Sequence, residues 1–391
     1  MTAGYGRTVA TLGTAQLLAW ASCYYLPAML AAPMARDLGV SQPTVFAAFS
    51  AALAVSALLG PRAGAAIDRW GGRPVLMATN LCFVVGLAAL AAAQGPVSLF
   101  AAWLLLGLPM GAGLYEAAFA TLVRLYGHEA RNGITGITLI AGFASTLSWP
   151  LTAGLEGAVG WRGACLAWAA IHLLLALPLN ASLPRVAAPA APTAVPEVPP
   201  AVPTTPPPSL WPTIVLSFVF AAAWFTTTAM ATHLPQLLQA AGSTPAQAVL
   251  VGALIGPAQV AARLLDFSLL RRLHPLLSAR LAAAAHPLGA ALLAAMGPTA
   301  APFFGVLHGA GAGMLTIAKG TLPLVFFGAQ GYGQRQGLLV VPGRLAQALA
   351  PWLFGIALQH WGLGALALSA GLGLLALGAL FLLPPVRAAA R

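Results

Sequence analysis

The sequence predicts an all-α integral membrane protein, with twelve transmembrane helices in two pseudo-symmetric six-helix bundles. Three observations predict this. Sixty per cent of the 391 residues are apolar and only 6% are charged, with a mean hydropathy of +0.87. A soluble chain carries about 25% charged residues, so this one lacks a wettable surface. Twelve apolar runs approach or exceed the length of about 20 residues that crosses a bilayer. The second half of the chain repeats the first.

The first six runs cover roughly 8–34, 43–63, 74–94, 97–121, 133–158 and 162–183. The second six cover roughly 211–240, 246–269, 279–297, 300–326, 336–358 and 363–384. Each is read as a helix, because a lipid-facing backbone must satisfy its own hydrogen bonds. The many glycines and alanines then serve close helix packing. Between the halves, Pro184 to Ser209 holds ten prolines among Ala, Val and Thr. Such a tract forms no packed core and is expected to be an extended tether. The expected division is therefore a bundle over 1–183, a cytoplasmic linker over 184–209 and a bundle over 210–391.

The repeat is visible residue by residue. Gly111-Ala112-Gly113 recurs as Gly311-Ala312-Gly313, Trp161 as Trp361, and Pro150 with Gly154 as Pro351 with Gly355. Leu26-Pro27 matches Leu234-Pro235. Two parallel six-helix units fit bundles that rock about a site near the bilayer midplane.

The formal charge of +11 comes from 18 basic and 7 acidic residues. In a soluble protein that excess would suggest nucleic acid. Here the arginines sit in short turns between apolar runs, so no nucleic-acid partner is expected. With both termini cytoplasmic, one face collects twelve arginines, among them Arg7, Arg69, Arg73, Arg124, Arg131, Arg271, Arg272 and Arg335. The outer face keeps Arg36 and Arg162. That bias orients the chain and places it in a cell membrane of the bacterial inner-membrane type, facing an anionic leaflet. The first apolar run is too long for a cleavable signal peptide and lacks a cleavage site. Cys23, Cys82 and Cys165 lie within apolar runs without metal-like spacing and read as small core residues.

Other classes find little footing. The histidines and acids are scattered, with no metal-ligand spacing and no Ser-His-Asp arrangement, so neither an enzyme nor a metal or other cofactor is expected. No G-x-x-x-x-G-K-[ST] loop occurs, and no pore-lining ring of charge suggests a channel.

Gly64-Ala-Ala-Ile-Asp68-Arg69-Trp-Gly71-Gly-Arg73-Pro74 is a short basic hinge between two apolar runs. It resembles the loop between the second and third helices of the major facilitator superfamily, G-x-x-x-D-R-x-G-R-R. Gly64, Asp68, Arg69, Gly71 and Arg73 fall on that pattern. The resemblance implies a secondary transporter working by alternating access, mostly as a monomer, its cavity lined by the first and seventh spans. It also implies that the hinge locks the cytoplasmic gate in one state. In the second half, Arg263-Leu-Leu-Asp266 followed by Arg271-Arg272 is a degenerate version.

The chemistry is expected among the few polar groups within spans. Lys319 is the sole lysine and lies in the tenth span, where an ionised group needs water or a partner. His308 precedes it by eleven residues, about three helical turns, so both are expected on one face. Glu116 in the fourth span is a candidate proton carrier or counter-ion; on the repeat it aligns with Thr316. Arg344 in the eleventh span carries a planar fork suited to a carboxylate, and pairing with Glu116 is its plainer alternative. Gln259, Arg263 and Asp266 share a face, and Arg263 and Asp266 are expected to pair across a turn as part of a gate. Arg62 and Asp68 have the same reading. Trp20, Tyr24, Tyr25 and Tyr115, with Trp224, Thr227, Thr228 and His233, are rings and hydroxyls suited to an organic solute, or to packing alone.

Interior bases outnumber interior acids four to two: Arg62, Arg263, Lys319 and Arg344 against Glu116 and Asp266. This tilts the spans toward an anion. The layout is similar to the monocarboxylate and oxalate branch of the superfamily, which uses buried Arg or Lys in the eighth, tenth or eleventh helices. Ala19-Trp-Ala-Ser-Cys-Tyr-Tyr25 departs from that branch's D-G-G-W-G-W opening. The expectation is therefore transport of a small organic anion or carboxylate through the lipid bilayer, with protons as the candidate coupling ion. The alternative is a proton-coupled efflux pump for hydrophobic or cationic compounds, with Glu116 as proton carrier. Trp149-Pro150-x-x-x-Gly154 supplies only a fragment of the antiporters' G-P-x-x-G-G signature.

Overall fold

Long apolar runs with tight glycine turns fold as antiparallel helices. The computed structural model describes residues 3–126, 130–185, 210–268, 275–327 and 332–384. Among these there are only helices and turns. The first half comprises α1 (Ala3–Cys23), α2 (Leu26–Asp37), α3 (Gln42–Trp70), α4 (Gly72–Ala91), α5 (Pro96–Gly113), α6 (Tyr115–Tyr126), α7 (Ala130–Ala141), α8 (Ala144–Ile171) and α9 (Leu177–Ala181). The second half comprises α10 (Leu210–Ala240), α11 (Pro245–Ser268), α12 (Pro275–Met296), α13 (Ala301–Phe327), α14 (Tyr332–Trp361) and α15 (Leu366–Phe381). Most of the linker expected over 184–209 falls outside the described residues.

Nine helical stretches among the described residues are long and apolar enough to cross a membrane. Three of them, over 133–181, 275–319 and 341–381, run 49, 45 and 41 residues, about twice what a bilayer requires. Each contains a glycine at positive φ: Gly160 at 70°, Gly297 at 61° and Gly362 at 53°. The twelve-span reading divides them there. Together with Gly39 and Gly242, these glycines turn the chain at the end away from the arginines. Among the described residues only Gly71, at φ 85°, turns it at the arginine-rich end. Positive φ is readily open to glycine and costs a side chain about 1–2 kcal/mol.

Breaks appear where continuous runs were expected. The first expected run, 8–34, spans α1 and α2, interrupted at Tyr24-Tyr25 because Pro27 lies in the first turn of α2 and offers no N–H to the preceding turn. The fourth breaks at Leu114, whose backbone is extended (φ −88°, ψ −160°).

The two halves share one packing device. A β-carbon on Gly107 or Gly111 of α5 would lie 2.7–2.8 Å from the carbonyls of Ala52 and Ser56 on α3. On Gly309 or Gly313 of α13, it would lie 2.6–2.8 Å from the carbonyls of Ile255 and Gln259 on α11. Glycine permits this backbone approach. The contacts pair Gly107 with Gly309 and Gly111 with Gly313, an offset of 202 residues. That corrects the offset of 200 read from the glycine repeat: Glu116 corresponds to Ala318 rather than Thr316, directly beside Lys319.

The halves meet along α8 with α11 and along α3 with α14. Trp149 of α8 is fully buried, and it belongs to a core cluster otherwise drawn almost wholly from the second half, with Phe304 and Phe354. Gly252 of α11 receives its ring; any side chain there would overlap it.

Candidate functional site

The breaks in α1–α2 and α5–α6 set the site. Leu114 ends one helix, so Glu116 falls in the first turn of α6, where unpaired N–H groups favour an acid. The break frees the Gly113 carbonyl, and the buried Gln16 amide donates to it at 2.8 Å. Glu116 is thereby held at the boundary between the halves, and its carboxylate pairs with Arg344 of α14. Their side chains are 58% and 31% exposed, as befits groups lining a solvent-reached space.

Facing this pair is Trp224 of α10. Lys319 Nζ lies 4.0 Å from its ring centroid, and the Arg344 guanidinium carbon lies 5.7 Å from it. The ring's negative face accepts cations, at about 2 kcal/mol when they are desolvated. Gly343 lets α14 approach, since a β-carbon there would stand 2.7 Å from Trp224 Cδ1. Two cations are thus held by one indole, with Glu116 across from one of them.

An aromatic wall adjoins. Trp20 packs against Tyr24 and Tyr115, each with centroids 5.0 Å apart. The Tyr24 hydroxyl meets Thr228 Oγ1 at 2.6 Å, a second polar bond between the halves. Gln347 stands 3.4 Å from Arg344 and within reach of Tyr24. Lys319, Arg344, Glu116, Trp224, Tyr24, Thr228 and Tyr115 therefore form one connected group.

Other expected residues lie elsewhere. His308 does not join Lys319: it turns into the second half, where its Nδ1 meets His286 Nδ1 at 3.0 Å. The helix face shared over eleven residues is broad, and packing against α12 selects the histidine pair. Arg263 does not pair with Asp266. Its guanidinium donates to the Thr138 carbonyl at 2.9 Å across the halves and approaches Gln259 at 3.4 Å, while Asp266 is buried with Oδ1 unpartnered. At the hinge, Gly71 separates α3 from α4, Arg69 lies over Trp70 and Arg73 approaches the Leu183 carbonyl at 3.5 Å. Gly64 is free of close neighbours. Arg62 bonds the Leu58 carbonyl within its own helix, and the Asp68 side chain lies outside the described residues. His233 is fully buried, and its Nε2 lies 2.7 Å from the Pro351 carbonyl.

Sequence reasoning missed Gln16, Gly343 and the clasp formed by Arg162. That arginine bonds Asp37 at 2.8 Å and the Ala91 and Ala93 carbonyls at 2.5 and 2.7 Å. Among the described residues no group of three or more His, Cys, Asp or Glu is placed to hold a metal.

The fold and site can be set beside known proteins. A mutant form of the nucleoside transporter NupG superposes with a TM-score of 0.76 at 14% identity, covering 96% of this chain and 98% of its own. A D-xylose-proton symporter superposes at 0.72 and 14% identity, covering 98% of each chain. In sequence, 147 residues are 35% identical to monocarboxylate transporter 11 of Mus musculus, over 37% of this chain and 32% of that protein. The match thus spans about a third of that relative's length. The pattern of the Major Facilitator Superfamily fits residues 12–305. With that match over most of its length, and with the fold of transporters, this membrane protein belongs to the Major Facilitator Superfamily.

Proposed function

We propose that the chain is a secondary active transporter for a small organic anion, a carboxylate, working by alternating access between its halves. The observation that carries this reading is the pairing of Lys319 and Arg344 on one indole, with Glu116 as counter-charge. Both cations come from the second half and the acid from the first, so an arriving carboxylate competes with Glu116 for Arg344. Charge-assisted bonds to two cations are strong and directional, and desolvation between aromatic walls strengthens them. The partial likeness to monocarboxylate transporter 11 agrees with this substrate class. Proton coupling is part of the proposal, with Glu116 taking up a proton once released from Arg344. So are monomeric function, cytoplasmic termini, and bundles over 1–183 and 210–391 joined by a tether at 184–209. The hinge at Gly64, Asp68, Arg69, Gly71 and Arg73 is proposed to latch the arginine-rich end in one state.

Uptake into proteoliposomes under an imposed pH gradient tests the reading. Saturable accumulation of small carboxylates with the gradient is the expected result. Movement of lipophilic cations without carboxylates would replace it with efflux of cationic compounds, for which the aromatic wall around Trp20 and Tyr115 would serve. Passive ion flow at channel rates without saturable exchange would sink both.

A further inference from the structure

A second titratable site stands at the end away from the arginines. There His233 of α10 wedges between the halves. Its ring centroid lies 3.9 Å from that of Phe46 on α3, and Gly355 of α14 leaves room for both rings, since a β-carbon there would meet them at 3.1–3.2 Å. The partner of His233 Nε2 is a carbonyl, at 2.7 Å, and a carbonyl only accepts. Nε2 therefore carries the hydrogen and Nδ1 is a bare lone pair. It is the one buried histidine nitrogen without a partner among the described residues.

His172 shows the contrast. Its Nδ1 meets Asn80 Oδ1 at 2.8 Å and its Nε2 meets Ser22 at 2.7 Å, while Asn80 donates to the Leu76 carbonyl. Both ring nitrogens are satisfied in the neutral form, as in a structural histidine.

Beside the His233 plug lies a cavity of about 400 Å³ lined by Ser41, Gln42, Phe46, Gln236, Gly355 and Gln359. These residues come from both halves. Gln236 also lies beside the His233 ring, joining the cavity to the wedge.

We propose that His233 Nδ1 is a proton-binding site and that this end of the transporter stays shut only while the site is empty. A proton arriving from water in the cavity bonds to the Nδ1 lone pair and makes an imidazolium. The new N–H and its charge then face the Phe46 ring, with the Gln236 side chain as the polar group beside it. A buried cation without a counter-ion disfavours that packing, whereas an opened wedge exposes it to water. Among the described residues no acid stands beside the ring. On α2, Arg36 is exposed and Asp37 is bonded to Arg162. Arg62, Asp68 and Arg69 occupy the far end of α3, and α15 has no charged residue. On α14, Arg344 pairs with Glu116 and His360 lines a separate groove. Arg263 and Asp266 on α11 and Lys319 on α13 lie toward the arginine-rich end, and His308 of α13 is turned to His286. Acid therefore favours opening at the cavity, and loss of the proton favours closure.

The inference takes its purpose from the alternating-access reading, but its test needs no solute. Spin labels at Ser41→Cys and Gln359→Cys, in a Cys82→Ser background, report the width of this end in nanodiscs between pH 8 and pH 5. The expected result is a short distance at pH 8 and a growing longer-distance population in acid. The open-to-closed ratio rises by no more than about tenfold per pH unit, the limit for one proton. His233→Gln keeps a donor for the Pro351 carbonyl and removes the titratable atom, so its distance stays short throughout. Should that variant fail to fold, Gln236→Leu is expected to move the opening to lower pH. No acid-induced widening in the wild type, the same widening in His233→Gln, an unmoved midpoint in Gln236→Leu, or a response lost in His308→Gln instead would each overturn the proposal. Uptake measured on the same preparations separates the two readings: transport without pH-dependent widening removes only the proton site, and widening without transport removes only the transporter.

Discussion

The two halves share a frame and divide the chemistry. In both, glycines let the fourth or tenth span lie against the second or eighth at backbone distance. Beyond that frame they differ. The first half keeps its buried histidine and one arginine for its own packing: His172 is satisfied by Ser22 and Asn80, and Arg162 clasps Asp37 and two helix-end carbonyls; across the boundary it sends Glu116, Tyr24 and Thr146. The second half turns Lys319, Arg344 and Arg263 toward the boundary. Duplication thus supplied packing in duplicate, and divergence at single positions supplied the charges. Trp161 and Trp361 make the same point at the turns away from the arginines: the first is buried and donates to Asp37 at 3.1 Å, while the second stands 65% exposed.

This contrast can be broken most directly at Lys319. Lys319→Gln should cut carboxylate uptake about 10- to 100-fold, the worth of one charge-assisted bond, with the protein still folded by size-exclusion chromatography. Undiminished uptake would return the lysine to a packing role and erase the division. A smaller effect is expected where the frames meet. Gly252→Leu drives a side chain into the Trp149 ring and should destabilise the protein by about 1–3 kcal/mol, read as a lower thermal midpoint. An unchanged midpoint would mean that α8 and α11 adjust freely. Smallest is the clasp. Arg162→Gln should cost about 1 kcal/mol or less, since the ion pair is 39–49% exposed and such pairs contribute little. Solute uptake should be unaffected; a large loss would give the clasp a part in transport.

Much of the fold was legible because lipid imposes simple rules. Composition declared the solvent, run length declared the spans, and glycines with prolines marked the ends. The breaks at Tyr24-Tyr25 and Leu114 were harder, since Pro27 and Gly113 resemble many prolines and glycines that leave their helices intact. Lys319, Arg344 and Glu116 stood out as rare charges in apolar runs, and the Arg344–Glu116 pair, held open as the alternative to a substrate contact, is present. What periodicity could not resolve was the choice among neighbours on one face. His308 and Lys319 share a helical phase, yet one meets α12 and the other α10. The offset of 202 between halves was hidden for a similar reason, since a glycine-rich sequence aligns almost equally well with itself two residues away.

The five tight glycine turns have a practical consequence. Among the described residues they join helices by a few residues each and leave short turns at the end away from the arginines, with Arg36 and Arg162 beside them. In a sealed vesicle the molecule is therefore a one-sided object to anything that recognises loops. Antibodies and arginine-directed proteases are expected to find few targets among those short turns, so the surface they reach reports which way the chain was inserted.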